Sequence, residues 1–559
     1  TTWPDSLEPR AKSLEPAVRL STEPTGRAVS LPFSFSTARL WALSIPRIPS
    51  ILTFLPLAVG LGCFVAPDKA ASGLAMVGSL VTLALSWTLW GSYDPSGAAF
   101  QLTETIPWIP DLGIHYAVGI DGISLLLILL TTVLTPVIIL SATPAIHERL
   151  NQYLGWMMVL ESAMIGTFVA LDTFLFYVFW ELMLIPMYFL IGIWGGERRI
   201  YATIKFFIYT MLGSLLMLVA VLGLYFLYAE QNNGQYSALL VDLYTLDVPY
   251  NAQLWLFAAF ALAFAIKVPM WPLHTWLPDA HFEAPTGGSV VLAGVLLKMG
   301  TYGFVRYAMP LFPEAAVAFA PAMGALAVIG IVYGALVAMV QDDIKKLVAY
   351  SSVSHMGYVM LGLFALNAQG VTGAVYQMLG HGLATGALFL LVGVLYERRH
   401  TKAIAEYGGL AKVVPVFAFV FMLVTFASVG LPGLNGFIGE FLILLGSFER
   451  SPVLTIFAAS GVILGAIYML WMFQRVMFGP LTNEKNKALA DLTTRELVYL
   501  APILVLIVLM GVYPQPFLEV MQPSVERIVL RLAEATPSIP PTASLFDPSA
   551  AAAVEAGSR

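Results

Sequence analysis

The chain carries a single cysteine, Cys63, and it lies inside an apolar run. One thiol cannot build a disulfide framework or a cysteine-ligated metal or iron–sulfur site. Charge is scarce too. Only 11% of the 559 residues are Asp, Glu, Lys or Arg, against about 25% in soluble domains. No GxxxxGK[ST] or GxGxxG motif with a flanking βαβ pattern occurs, and no HExxH spacing. The sequence therefore argues against nucleotide chemistry and compact metal ligation on this chain, and nothing in it supports a nucleic-acid role.

Apolar residues are abundant: 58% of the chain is hydrophobic, with a mean hydropathy of +0.81. Many separate runs exceed the ~20 residues needed to cross a bilayer as a helix. The pattern predicts an all-α polytopic membrane protein of about 14 transmembrane helices. The spans fall at roughly 49–66, 71–90, 119–141, 153–171, 173–194, 203–229, 253–270, 286–307, 317–340, 347–366, 371–396, 413–445, 454–478 and 497–513. Residues 1–46 are polar and proline-rich, without a compact signal-peptide pattern, and read as a surface extension. Lys and Arg cluster in the odd-numbered loops, fourteen against two when Arg306 is counted at a loop edge. That bias puts the odd loops in the cytoplasm and both termini on the opposite side. The six basic residues before the first span, Arg10, Lys12, Arg19, Arg27, Arg39 and Arg47, run against it.

The stretch from Leu262 to Tyr307 breaks the apolar monotony. Lys267 and Lys298 lie in apolar surroundings, and Pro269, Pro272, Pro278 and Pro285 interrupt the helical pattern between them. His274, Asp279, His281 and Glu283 crowd the interruption. Ionisable groups in hydrocarbon are costly and usually face a bundle interior or a polar path. Broken helices survive at membrane depth only where protein or water satisfies their freed backbone groups. A second break, VGLPGLNGFIGE at 429–440, lies in span twelve, five spans after the first. An odd number of helices per unit inverts successive copies, so the spacing suggests two inverted five-helix repeats, with matching breaks pointing to a transport site. This divides the chain into the extension (1–46), helices 1–3 (47–150), the first repeat (151–307), the second repeat (315–478) and the last helix with its tail (479–559).

Each candidate has a plain alternative. Glu181, mid-span beside Trp180, is either a hydrogen-bonded structural acid or the partner that sets the charge state of a nearby lysine. Lys267 could snorkel from a helix end, or sit in a polar pocket made by the break. Lys298 would be the next station, whereas Lys205 lies close enough to its helix start to snorkel. His355 and His381 are either structural hydrogen-bonders or a proton relay through water. Glu440, in the second break, belongs with Glu181 among mid-membrane acids, and Glu161 is a further acid at span depth. Helix capping and topology account for the QDDIKK run containing Asp342, Asp343, Lys345 and Lys346.

The segments FWELMLIPMYFLIGIWG, KFFIYTMLGS, AFAIKVPMWPLHTWLPDAHFEAPTGGSVVLAGVLLKMGTYGFVRY, DDIKKLVAYSSVSHMGYVMLG and GLPGLNGFIGEF resemble the proton-translocating, antiporter-like membrane subunits of complex I. The resemblance covers roughly residues 110–480 and is greatest to the chain 4, or M-type, subunit, in detail to the cyanobacterial and chloroplast NdhD form. It implies a fifth-helix Glu181 paired with the seventh-helix Lys267, and a sixth-helix Lys205. It also implies Lys298 on helix eight linking two half-channels, His355 and His381 at relay positions, and Glu440 as the twelfth-helix acid. By the same resemblance the chain binds no cofactor itself, while its assembly uses iron–sulfur clusters and plastoquinone. The expected partners are other membrane-arm subunits, including chain 2-like and chain 5-like antiporter-like neighbours, together with membrane lipids. The expected activity is proton pumping coupled to electron transfer from reduced ferredoxin or NAD(P)H to plastoquinone, in a photosynthetic or respiratory complex of the thylakoid membrane, its termini lumenal. An Mrp-type cation/proton antiporter subunit and a non-pumping scaffold are the alternatives.

Overall fold

The computed structural model describes residues 47–535, so the N-terminal extension and the end of the C-terminal tail lie outside the described residues. Eleven helices among the described residues are long and apolar enough to cross a membrane. They are α1 (Ile48–Val65), α2 (Asp68–Ser92), α3 (Gly122–Ala145), α5 (Thr173–Trp194), α6 (Arg199–Gln231), α7a (Tyr250–Lys267), α8 (Thr286–Leu311), α9 (Pro313–Met339), α11 (Ala368–Arg399), α13 (Pro452–Met477) and α14 (Thr494–Val512). Two further helices, α4 (Leu150–Val169) and α10 (Ile344–Leu363), have 20 residues each and carry more polar groups. The broken pair α12a (Pro415–Val429) and α12b (Asn435–Arg450) completes the expected fourteen.

Short polar signals stop and start these helices. The Asp121 side chain accepts from the Ser124 N–H in a capping box at the head of α3. Asp172, Asp343 and Asn367 cap α5, α10 and α11 through their own side chains. Such caps satisfy backbone donors that a helix start leaves free. The fourth helix of each five-helix set is the broken one. In the first, α7a ends at Lys267 and the short α7b (Trp276–Glu283) follows. In the second, Gly430 at φ 82° turns the chain between the two pieces of α12, a conformation that a side chain would resist.

Burial is uneven. The apolar windows of α8 and α11 are wholly buried and that of α3 is 89% buried, against 33–39% for α1, α2, α13 and α14. Helices 3, 8 and 11, with the nearly as buried α4 and α10, therefore form the interior, and α1, α2, α6, α13 and α14 expose the most surface. Lys298 and His381 stand on two of these interior helices.

The structure corrects two boundaries and the placement of one residue. The third span begins at Gly122 rather than 119, because the preceding residues form an antiparallel hairpin of β1 (Gln101–Ile109) and β2 (Ile114–Ile120). Its turn closes at Gly113, φ 62°, and the Thr-, Ile- and Tyr-containing flanks are the strand signal in the sequence. The segment after the last span is more than a tail: α15 (Gln515–Ala535) runs for 21 residues and buries Val520, Met521, Val525, Ile528, Val529 and Leu532. Arg306 is no loop residue. It is buried within α8, in an ion pair with Asp121.

Candidate functional site

Lys267 is the last residue of α7a. The helix stops there because Pro269 supplies no N–H. An ammonium at this end meets the negative end of the helix dipole. The Trp276 indole N–H donates to the Ile266 carbonyl at 2.8 Å, satisfying an acceptor that the break frees. The Lys267 ammonium is buried, has no hydrogen-bond partner among the described residues, and lies 5.1 Å from the Trp180 ring centroid and 5.9 Å from that of Phe206.

Glu181 precedes an irregular turn at Met183 in α5. Pro186 explains that irregularity, since the Leu182 carbonyl loses its usual donor. No direct ion pair closes between Glu181 and Lys267, and one Glu181 oxygen is buried without a partner among the described residues. The close pair expected from the sequence is thus an open one here, with aromatic rings against the ammonium.

The end of α7a presses against α8 at Gly300. A Cβ there would stand 2.8 Å from the Phe264 carbonyl and 2.9 Å from the Val268 nitrogen. This contact brings the broken end against α8 two residues from Lys298. Two π-helical turns, Leu292–Leu296 and Phe304–Ala308, bracket Lys298. Such turns recur where a helix must re-aim a side chain. The Lys298 ammonium donates to the Ala293 carbonyl in the first of them and lies 2.7 Å from His381 Nδ1.

From His381 the polar row continues. The rings of His381 and His355 stand 5.8 Å apart, and His355 Nδ1 is 2.8 Å from a Glu440 carboxylate oxygen. The Gln377 amide donates to the same carboxylate at 3.0 Å, and the Ser428 hydroxyl lies 3.4 Å from His355 Nε2. A cavity of about 10 Å³ lies among His355, Gln377, His381 and Ser428, near the lower limit of ~10–15 Å³ for one water. Gln377 was not singled out from the sequence. It sits one helical turn before His381, a spacing that places both on one face of α11.

The two repeats match position by position. Glu181 and Lys267 occupy the second and fourth helices of the first set, and His355 and Glu440 those of the second. Acid and base have exchanged places, and the second pair is closed while the first is open. Lys205 and His381 share the third helix. Lys205 does not join the row directly: its ammonium is 2.7 Å from Asp279 on α7b, with side chains 20% and 36% exposed. Glu161 is fully buried on α4, and neither of its oxygens has a hydrogen-bond partner among the described residues.

On the face formed by the odd-numbered loops, a cavity of about 120 Å³ is lined by Glu283, Lys345, Tyr396 and Lys402. Asp343 caps α10 as the sequence suggested, but Lys345 does more than mark topology. Its buried ammonium donates to the Ala284 carbonyl at 2.5 Å, beside Lys402, which donates to Phe282 O at 3.1 Å. Burial pushes the Lys402 ammonium below its ordinary value, against the pull of Asp343 and Glu283, and Lys346 adds to the lowering. His281, on α7b, is fully buried, stacks on Phe389 at 4.6 Å, and has no hydrogen-bond partner on either ring nitrogen among the described residues. His274 packs edge-on against Tyr333.

Residues 170–468 match the family described as NADH:quinone oxidoreductase/Mrp antiporter, transmembrane. The chain is 49% identical over 500 residues to the NADH-quinone oxidoreductase subunit M of Rhodobacter capsulatus, covering 86% of this chain and 96% of that one. It is 44% identical to the NADH-ubiquinone oxidoreductase chain 4 of Marchantia polymorpha, over 86% and 96% of the two chains. Among solved structures, a chain of respiratory complex I from Thermus thermophilus with bound NADH superposes with a TM-score of 0.79 at 36% identity, covering 87% of this chain and 99% of that one. A chain of the Mrp complex from Dietzia shares the fold, with a TM-score of 0.75 at 18% identity over 87% and 99%.

Proposed function

Since the chain belongs to the antiporter-like subunit M/chain 4 family of complex I, we propose that it carries protons through the membrane arm of a quinone-reducing complex. One observation carries this reading: the buried row Lys298–His381–His355–Glu440, in which two of the three steps are hydrogen-bond contacts of 2.7 and 2.8 Å. Proton transfer needs donor and acceptor within about 2.6–3.2 Å, or joined by one water, and the third step lies beside the small cavity.

In this reading the Glu283–Lys345–Lys402 cavity is the inlet, and His281 leads inward from it. The open Glu181–Lys267 pair is the switch. Bringing Glu181 closer to Lys267 favours the charged ammonium, and separating them releases its proton. Lys298 passes the change to His381, and the closed His355–Glu440 pair delivers the proton to the other side. Lys205 and Asp279 hold α7b to α6 and couple movement of the break to a neighbour. The row contains no redox group, so electron transfer in the assembly acts on it through charge or movement.

The relatives' names point to NADH as donor and a quinone as acceptor. The ferredoxin-to-plastoquinone form of the reaction, and a thylakoid location, rest on the resemblance to the NdhD form alone. Iron–sulfur clusters and the quinone belong, in this proposal, to other subunits, and antiporter-like neighbours flank this chain. The Mrp likeness at 18% identity supports a shared fold and carries no separate function. The test is to measure proton pumping and quinone reduction separately in a complex bearing Lys267→Ala. Pumping should collapse while the complex assembles, and full pumping would sink the proposal.

A further inference from the structure

On the face formed by the even-numbered loops, a cavity of about 480 Å³ opens where α3 begins, α8 ends and α15 crosses beneath them. Its size falls in the ~300–1,000 Å³ range of ligand sites. Three guanidinium groups line it, from Arg306, Arg527 and Arg531, together with Asp121 and Tyr244. Arg306 is neutralised by its buried pairing with Asp121. Among the described residues, neither Arg527 nor Arg531 is paired with an acid. They stand four residues apart on α15, a spacing at which like charges repel.

Four backbone carbonyls hold these two side chains at the cavity wall. Arg527 donates to Gly97 at 2.9 Å and to Ala99 at 3.3 Å, and Arg531 to Pro310 at 2.6 Å and to Tyr244. Carbonyls orient a guanidinium without cancelling its charge. Glu534, exposed near the mouth, offsets one charge, and the lining stays positive. Planar guanidinium groups fixed in this way suit a phosphate, which they bind with paired N–H···O contacts.

The depth and rim narrow the source of that phosphate. α15 starts three residues after the last membrane span ends at Val512, so the cavity lies at the end of the bundle, at headgroup level. Val241 and Leu530, also on the lining, are 47% and 52% exposed. An apolar rim suits acyl chains and gives nothing to a soluble anion.

We propose that this cavity binds the phosphate headgroup of one membrane phospholipid, with Arg527 and Arg531 as its ligands and Val241 and Leu530 against its chains. Bound there, the lipid would join α15 to the start of α3 and the end of α8. No residue of the proton row takes part.

The test uses the assembled complex in native membranes and a photoactivatable phosphatidylglycerol carried in vesicles of phosphatidylcholine. After illumination, peptides from α15 should be labelled at least fivefold more than those from α13, whose Ile456 and Ile463 are also lipid-exposed. Arg527→Gln with Arg531→Gln should abolish that excess without changing quinone reduction. Arg527→Lys with Arg531→Lys, which keeps the charge, should retain part of it. Equal labelling of α13 and α15 in the wild-type complex would overturn the proposal and needs no variant to fold. Complete loss of α15 labelling on adding inorganic phosphate at fixed ionic strength would assign the site to a free anion and overturn the lipid assignment.

Discussion

The contact between Lys298 and His381 makes the sharpest prediction, because both groups are buried on the two helices most enclosed by protein. His381→Leu keeps an apolar volume and removes the one side-chain partner of the Lys298 ammonium among the described residues, leaving the Ala293 carbonyl. Losing a hydrogen bond to a charged group costs about 1.5–3 kcal/mol. At 1.36 kcal/mol per tenfold, that loss corresponds to roughly tenfold to a hundredfold in a transfer step that depends on the contact. His381→Gln behaves differently. Its amide oxygen still accepts from the ammonium and recovers about 1.5–3 kcal/mol, yet it cannot carry the proton onward to His355. His381→Ala opens room for about two waters at ~30 Å³ each, which can bridge part of the gap. In membrane vesicles, proton uptake followed with a pH-sensitive dye should therefore rank wild type, then His381→Ala, then His381→Gln, with His381→Leu at least tenfold below wild type. Quinone reduction with an uncoupler present should change much less. A His381→Leu complex that assembles fully and pumps at the wild-type rate would refute the row as a proton path.

The remaining predictions concern packing and charge. Gly300→Ala would push a methyl into the backbone of α7a at Phe264 and Val268; the cost should be about 1–3 kcal/mol, visible as a lower thermal midpoint, and an unchanged midpoint would show that α7a is not held there. Asp121→Ala leaves Arg306 buried without its counter-charge and should cost about 3–5 kcal/mol, whereas Asp121→Ala combined with Arg306→Met should be milder; equal yields of assembled complex from the two would contradict a strong pair. Lys205→Met removes a partly exposed pair with Asp279 worth about 0–1 kcal/mol, so assembly should survive; a large drop in pumping at normal assembly would mark coupling through α7b, and intact pumping would reduce the pair to a staple.

Much of the fold could be read in advance because a bilayer leaves few choices. With no water in the hydrocarbon, a spanning segment must be helical, and length alone then counts the spans. The prolines around Lys267 and the glycines around 430–436 advertised the two breaks for the same local reason: each removes or strains helix hydrogen bonds. Where the chain leaves the hydrocarbon, that constraint ends. The hairpin at 101–120 and the surface helix α15 follow weaker patterns, alternation of two and a spaced apolar stripe, and by sequence the first reads as a loop, but for its last two residues, and the second as a tail.

By itself, then, the sequence determined which residues carry charge into the membrane, and that their number and spacing demand a shared interior. It could not determine who faces whom. Lys298 meets His381 across 83 residues and His355 meets Glu440 across 85, while Glu181 and Lys267, paired by resemblance, stand apart. Lys205 turned to Asp279, Arg306 to Asp121, and Gln377 joined Glu440 without notice. Those partners lie on different helices, and helix–helix rotation and offset are set by how whole faces pack. A close backbone approach such as that at Gly300 moves a side chain into or out of the 3 Å reach on which proton transfer depends. Only the packed bundle decides that.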